Sequence, residues 1–407
     1  MKIGQVENWS VSYEWKAVVL LSLAFGLVGI DRWIITPLFP FIMKDLGLNF
    51  SQLGALAGIL GVGWGVAAMC VGTISDKVGR RRVLIPTILL FSLLAGLTGT
   101  ATSFVMLLTI RLVMGITEGS FLPASVASTA EASKASRRGL NQGFQLSLFA
   151  LLGLGLGPII ATQLLSIVPS WRYVFLIVCI PGFILAALIW LVVREPAKAS
   201  EMPYNQPKQN IRWAEVLRSR NVLLSVAGIL AAMCCIFVIG AMMPSYLMDY
   251  LKIKPQTMGF IMGATGFGGF FGEFCIPGLS DLIGRRTVAI LAFLCAIPLL
   301  YIFMHTGANP TLLFVLLFMI GFFCLGLLGL FTGPLATEGV SAASTATAVG
   351  FVSGSGEIFG GGVAPAIGGW IAQHYGLPHI LDLAMAGLVF GLIIAMFLKE
   401  TAPRFNK

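Results

Sequence analysis

The sequence predicts an all-α integral membrane protein whose twelve transmembrane helices form two six-helix halves. Three observations lead there: the 407 residues are 57% hydrophobic and only 11% charged, long apolar runs recur from end to end, and one extended polar segment divides those runs. A soluble domain keeps its surface wet with about a quarter of its residues charged. A chain this poor in charge is stable only against lipid, where an apolar run of roughly 18 to 20 residues crosses about 30 Å of hydrocarbon as a helix.

Apolar windows between loop signals place helices at 17–43, 50–73, 83–101, 104–130, 140–167 and 173–193 in the first half. The second half reads 221–248, 256–279, 287–305, 311–337, 346–373 and 378–398. Residues 1–193 are thus an N-terminal bundle, 194–220 a linker rich in Lys, Arg, Pro and Gln, and 221–407 a C-terminal bundle. The first sixteen residues carry Glu7 and Glu14 and no small-residue cleavage site, so the reading retains the first span.

The formal charge of +9 does not point to nucleic acid, because the cations sit in short loops on alternate sides of the spans. Lys77, Arg80, Arg81, Arg82, Lys134, Arg137, Arg138, the linker cations, Arg285, Arg286, Lys399, Arg404 and Lys407 gather on one side. Lys44, Arg172, Lys252 and Lys254 lie on the other. The positive-inside bias makes the first side cytoplasmic and puts both termini there, in a multi-pass protein of the plasma or inner membrane. The seven cysteines all fall inside apolar runs, without metal spacing or loop pairs, and read as small buried hydrophobes.

An internal repeat relates the halves. Ser75-Asp76-Lys77-Val78-Gly79-Arg80-Arg81 after the second helix is echoed by Ser280-Asp281-Leu282-Ile283-Gly284-Arg285-Arg286 after the eighth. Both copies fall after the second helix of their half, so the repeat is parallel. Glycine permits a tight turn, the aspartate accepts from backbone amides, and the arginines reach carboxylates or helix C-termini. Gly72, Asp76, Gly79, Arg80, Asp281, Gly284 and Arg285 are therefore read as a conformational latch.

At these residues the chain resembles the major facilitator superfamily, whose signature is similar to Gly72-x-x-x-Asp76-Lys77-x-Gly79-Arg80-Arg81-Arg82 here. Helix count, linker position and the degenerate second copy extend the likeness over the full length. The resemblance implies two six-helix bundles around a central cavity, with alternating access by rocking.

Six ionisable residues fall within the spans: Asp31 and Arg32 in the first helix, Arg111 and Glu118 in the fourth, Glu273 in the eighth and Glu357 in the eleventh. Each costs about 2.5 to 3.5 kcal/mol at mid-bilayer and demands a partner or a purpose. Asp31 and Arg32 are neighbours about 100° apart and need partners on other helices. Arg111 and Glu118 share a face but stand roughly 10.5 Å apart along the axis. The economical arrangement packs the first helix against the fourth, with Arg32 or Arg111 neutralising Glu118 and Asp31 facing a polar, partly wet space. A static ion network that only fixes packing is the alternative.

Asp31-Arg32-x-x-Ile35-x-Pro37, and Arg111 to Ala124 with Gly115, Glu118, Gly119, Phe121 and Pro123 in place, resemble the first and fourth helices of the anion:cation symporter family. That resemblance implies proton-linked carboxylates at Asp31 and Glu118, and an anion-binding and coupling role for Arg32 and Arg111. Burial raises a carboxyl pKa and a nearby arginine lowers it, so a carboxyl of this kind can trade a proton as its cation moves. The freed arginine can then grip a substrate carboxylate by two hydrogen bonds.

Glu357 lies in a glycine-rich run opened by Ser353, read either as a substrate contact or second proton site, or as packing. No intramembrane cation is evident in its own half. Glu273 reads as support for the Asp281 to Arg286 loop, and Tyr246 as either a cavity-facing or an interfacial aromatic. Gly153-Leu-Gly155-Leu-Gly157-Pro158 in the fifth helix is a close-packing and bending element that partly resembles the antiporter motif of drug exporters. His305, His374 and His379 read as interfacial.

No Gly-x-x-x-x-Gly-Lys loop is present, so an ion gradient rather than ATP supplies the energy, and neither an enzyme nor a cofactor is expected. The leading expectation is proton-coupled symport of a small organic anion such as a sugar acid, an aromatic acid or another carboxylate, by a monomer in the bilayer. Proton-coupled efflux of amphiphilic compounds is the rival, and a non-transporting receptor on a carrier fold the third.

Overall fold

Helix 1 starts earlier than its hydropathy indicates. Ser10 accepts from the Tyr13 amide at 3.1 Å and opens a span over Val11–Leu46. Its first turns carry charge and precede the helix read over 17–43, but Glu14 is fully buried. It accepts from Arg137 Nη2 at 2.7 Å and Asn141 Nδ2 at 3.0 Å, tying helix 1 to the start of helix 5. This computed structural model describes residues 9–134, 137–194, 213–341 and 344–402, except the side chains at 72–74, 76, 77 and 346.

Helices 2 to 6 follow at Phe50–Val78, Arg80–Thr98, Phe104–Ala132, Arg138–Leu165 and Trp171–Val192. Helices 7 to 10 span Arg220–Tyr250, Pro255–Ile283, Arg285–Met304 and Pro310–Thr337. Helix 11 is built from Thr345–Ser355, Gly356–Val363 and Ala364–Tyr375, and helix 12 spans Leu377–Met396. Eleven helices among the described residues are long and apolar enough to cross a membrane. Helix 11 is not among these eleven; its glycines and serines dilute its hydropathy.

The segment read as a linker is not irregular throughout. Residues 195–212 lie outside the description, but Trp213–Arg218 is a short helix docked on the C-terminal half. Glu215 anchors it by accepting from the Ser341 amide at 2.6 Å and the Ser344 hydroxyl at 2.8 Å.

Several helices bend where proline removes an amide. Helix 1 breaks at Ile34, and the Trp33 carbonyl that Pro37 cannot serve takes the Thr36 hydroxyl at 2.9 Å. Helix 5 turns π-helical over Ala150–Leu156 just before Pro158, and helix 11 over Gly356–Val363 just before Pro365. Helix 7 does so over Tyr246–Tyr250, just after Pro244.

Three seams join the halves: helix 2 on helix 11, helix 5 on helix 8, and helix 1 on helix 7. Small residues bring the backbones together. A methyl group on Gly61 would stand 2.5 Å from the Gly361 carbonyl oxygen, and one on Gly263 would stand 2.7 Å from that of Gly155. The cysteine reading needs correction: Cys235 and Cys324 are buried, but Cys70, Cys275 and Cys295 are exposed. In hydrocarbon a thiol tolerates such a position as any small apolar group does.

The two repeat copies make parallel contacts. Helix 2 runs to Val78 and helix 8 to Ile283, so each turn is one glycine, Gly79 at φ 109° and Gly284 at φ 104°. Only glycine adopts that backbone without strain. Arg80 donates to Glu131 at 3.2 Å and to Ser75 Oγ at 3.2 Å. Arg285 donates to Glu338 at 2.8 Å and Ser280 Oγ at 2.7 Å, and also pairs with Asp281. Arg81 donates to the Trp190 carbonyl at the end of helix 6, and Arg286 to the Met396 carbonyl at the end of helix 12. These contacts lie inside each half. The side chain of Asp76 and the residue Gly72 lie outside the side chains described.

Candidate functional site

Where the halves meet at the break in helix 1, the charges expected from sequence converge. Arg32 Nη2 donates to Glu357 Oε2 at 2.8 Å, an ion pair from helix 1 to helix 11 and hence across the two halves. The Arg32 side chain is 4% exposed and that of Glu357 18%, so the pair is shielded from bulk solvent. The cation for Glu357, not evident in its own half, comes from the other. Aromatic faces surround the guanidinium: its carbon lies 4.7 Å from the Trp64 ring, 4.7 Å from Phe237 and 5.7 Å from Trp33. Ring quadrupoles hold a cation by about 0.5 to 2 kcal/mol each when water is excluded. Trp64 comes from helix 2 and Phe237 from helix 7, so this cage also spans both halves.

Arg111, 1% exposed, reaches from helix 4 to the break in helix 1. Its Nη1 donates to the carbonyl oxygens of Asp31 at 3.2 Å and Arg32 at 3.1 Å. Its Nε and Nη2 have no hydrogen-bond partner. Asp31 is 1% exposed and Glu118 fully buried, and none of their four carboxyl oxygens is hydrogen bonded.

Two expectations are corrected here. Neither arginine hydrogen bonds to Glu118: Arg32 is drawn across the interface by Glu357, and Arg111 is held by backbone carbonyls. Asp31 faces no wet space: it is 1% exposed and both of its carboxyl oxygens are buried. Glu118 still lies in the electrostatic field of Arg32, Arg111 and Glu357, and Asp31 in that of Arg111 and Glu118. Two guanidiniums and three carboxyls thus form one cluster.

A small central space is lined by Arg32, Trp33, Thr36, Leu60, Arg111 and Phe237 among others. It has room for a water and too little for an organic solute. Solute entry therefore requires the halves to part.

The remaining candidates lie elsewhere. Tyr246 is buried beside the rings of Tyr250 and Phe303 at 5.2 and 6.3 Å and does not line the central space. Ser353 lies half-buried one turn before Glu357. Glu273 does not support the repeat turn as expected: its Oε2 is buried without a partner, while Arg285 is served by Asp281 and Glu338. Sequence reasoning missed Glu131, Glu338, Trp64 and Phe237. The first two stand at matching ends of helices 4 and 10, a signal the repeat contained; the aromatics carried none within their apolar runs.

Buried charge at the meeting of two like helical halves is the arrangement expected of a carrier. The Major Facilitator Superfamily model matches residues 21–360 and 238–406, and the chain belongs to that family. It is 31% identical to the probable 4-methylmuconolactone transporter of Cupriavidus pinatubonensis, over 93% of this chain and 88% of that one. It is 25% identical to the sialic acid transporter NanX of Escherichia coli, over 93% of each chain. Its fold is similar to the crystal structure of a bacterial homologue of the human lysosomal transporter Spinster, inward-facing and unoccupied. The TM-score is 0.77 and the identity 20%, over 95% of this chain and 96% of that one. The protein is a multi-pass membrane transporter and not an enzyme.

Proposed function

We propose that this transporter is a proton-coupled symporter of a small organic anion in the plasma or inner membrane, with both termini cytoplasmic. The bundles of residues 1–193 and 221–407, joined by 194–220, rock about the central cluster in a monomer. The observation that carries the reading is the cluster itself: Arg32 and Arg111 line the space between the halves, beside buried Asp31 and Glu118 whose carboxyls have no hydrogen bond. A buried carboxylate without partners is costly, and a proton removes the cost. Three acids against two guanidiniums leave one excess negative charge, so one proton neutralises the empty cluster. An arriving anion adds a charge, and a further proton restores the balance. Two of the relatives named above, one named for a muconolactone and one for sialic acid, support a small organic cargo.

Asp31 and Glu118 take the proton in this scheme, and Arg32 and Arg111 the anion. Glu357 holds Arg32 until substrate replaces it, with Ser353 beside it and Tyr246 further along helix 7. The Gly79 and Gly284 turns, with Arg80 and Arg285, brace each bundle so that it moves as a unit. In proteoliposomes, Glu118→Gln is expected to keep exchange of bound anion and to lose concentrative uptake driven by a pH gradient. Arg111→Ala is expected to weaken binding itself. Accumulation of no carboxylate by the wild type, with extrusion of a cationic dye instead, would overturn the proposal in favour of efflux.

A further inference from the structure

Glu118 does not line the central space, so a proton held on it needs its own way to water. We propose that this proton leaves inside the N-terminal bundle, along a file of waters held between helices 1, 4 and 5 by Ser22, Thr129 and Gln145, and emerges on the cytoplasmic side beside Arg137. This rests on the proton-symport reading above and names the residues that serve it.

The faces of three helices define the path. Helix 4 touches helix 1 at both ends: Arg111 reaches the carbonyls of Asp31 and Arg32, and Ala132 packs beside Tyr13 and Ala17 while its carbonyl accepts from Trp9 Nε1 at 2.8 Å. Between those contacts Ser125 and Thr129 follow Glu118 on the same face, each within about 20° of it around the helix. Helix 5 presents Asn141, Gln145 and Phe149 at successive turns. Asn141 donates to Glu14, and Phe149 packs on Phe25 at 5.3 Å, so Gln145 meets helix 1 between those two residues. Ser22 lies in that interval, one turn before Gly26, where a methyl group would stand 3.2 Å from the Leu148 carbonyl oxygen.

The polar groups on this path are unanswered. Ser22, Thr129 and Gln145 are buried, yet the two hydroxyls and both amide atoms have no hydrogen-bond partner. Buried polar groups left so are costly, and internal water with two to four such partners satisfies them. Toward the cytoplasm the run is already bonded. Asn141 Nδ2 donates to Ser133 Oγ at 2.8 Å and to Glu14 Oε1 at 3.0 Å, and Glu14 accepts from Arg137, whose side chain is 33% exposed. Arg32, Arg111, Glu357 and Asp31 are the charges that face Glu118 at the other end.

The transfer balances. The O–H bond of Glu118 breaks and its proton joins the first water. Each water or hydroxyl then passes on one proton as it receives another, and one proton leaves at the Arg137 end. Glu118 remains as a carboxylate in the field of Arg111, and Gln145 positions water without carrying the proton.

Stopped-flow infrared spectroscopy of the purified full-length protein, mixed into heavy water, tests this without a substrate. The band of the protonated Glu118 carboxyl, assigned by its loss in Glu118→Gln, shifts as deuterium replaces hydrogen. Gln145→Leu and, independently, Thr129→Val are expected to slow that shift at least about tenfold, the worth of one buried hydrogen bond. Both are expected to melt no lower than wild type, since each removes an unsatisfied polar group, which shows that the fold is kept. Exchange at the wild-type rate in both folded variants would overturn the path and leave proton symport standing, with the proton leaving between the halves. A protein with no protonated Glu118 band at any pH at which it stays folded would overturn the path and the coupling role of Glu118 together.

Discussion

Arg32 and Glu357 are each other's answer to burial, and neither was legible as such. The chain displayed six ionisable residues in apolar runs, and spacing along a helix shows which of them share a face. It does not show which helices cross, so Glu357 stood without a cation and Glu118 was given one it does not touch. The pair yields a prediction at this scale. Arg32→Ala leaves the half-buried Glu357 carboxylate inside the protein without its cation, and orphaning a buried charge costs about 3 to 5 kcal/mol. The double variant Arg32→Ala, Glu357→Ala removes both charges and is expected to recover much of the loss. Thermal unfolding in detergent checks this, and equal melting points for single and double variants would contradict it. Gly284 gives a second case: at φ 104°, with a Cβ that would meet Glu400 Oε2 at 2.5 Å, Gly284→Ala is expected to cost about 1 to 3 kcal/mol. A melting point unchanged from wild type would contradict that strain.

The elements were legible almost throughout, because lipid imposes a minimum apolar length that eleven of the twelve helices meet among the described residues. The errors fall where charge or proline belongs to a helix. Glu14 hid the start of helix 1 because its carboxylate is satisfied by Arg137 and Asn141 from another element. The π-helical runs of helices 5, 7 and 11 adjoin prolines that sequence shows, but which carbonyls they free depends on packing. The close seams carry a prediction of their own. Gly61 lies where a methyl group would stand 2.5 Å from the Gly361 carbonyl, so Gly61→Leu is expected to hold helices 2 and 11 apart at the centre. Transport should fall at least about tenfold while the protein still inserts, since the side chain remains apolar and rigid interiors resist added volume. Uptake and expression assayed together check it, and wild-type uptake by an inserted Gly61→Leu protein would contradict it.

At the scale of the whole molecule, two parallel halves meet on narrow glycine seams around a charged centre. Among the described residues their interface holds the Arg32–Glu357 ion pair, the aromatic cage around it and room for a water. In the proposed cycle such a centre opens as Glu357 lets go of Arg32, which makes charge balance and rocking one event. The repeat of the Gly-Arg-Arg turn announced the parallel halves; the crossing of helices 1, 4 and 11 appears only when they are packed. The most direct test is the proton balance of binding. Adding substrate anion to the purified protein in weakly buffered detergent is expected to raise the pH of the medium as the cluster takes up a proton. Glu118→Gln should bind the anion with that uptake reduced or lost. Anion bound by the wild type with no change in pH, or the same uptake in Asp31→Asn and Glu118→Gln as in the wild type, would contradict coupling through this cluster.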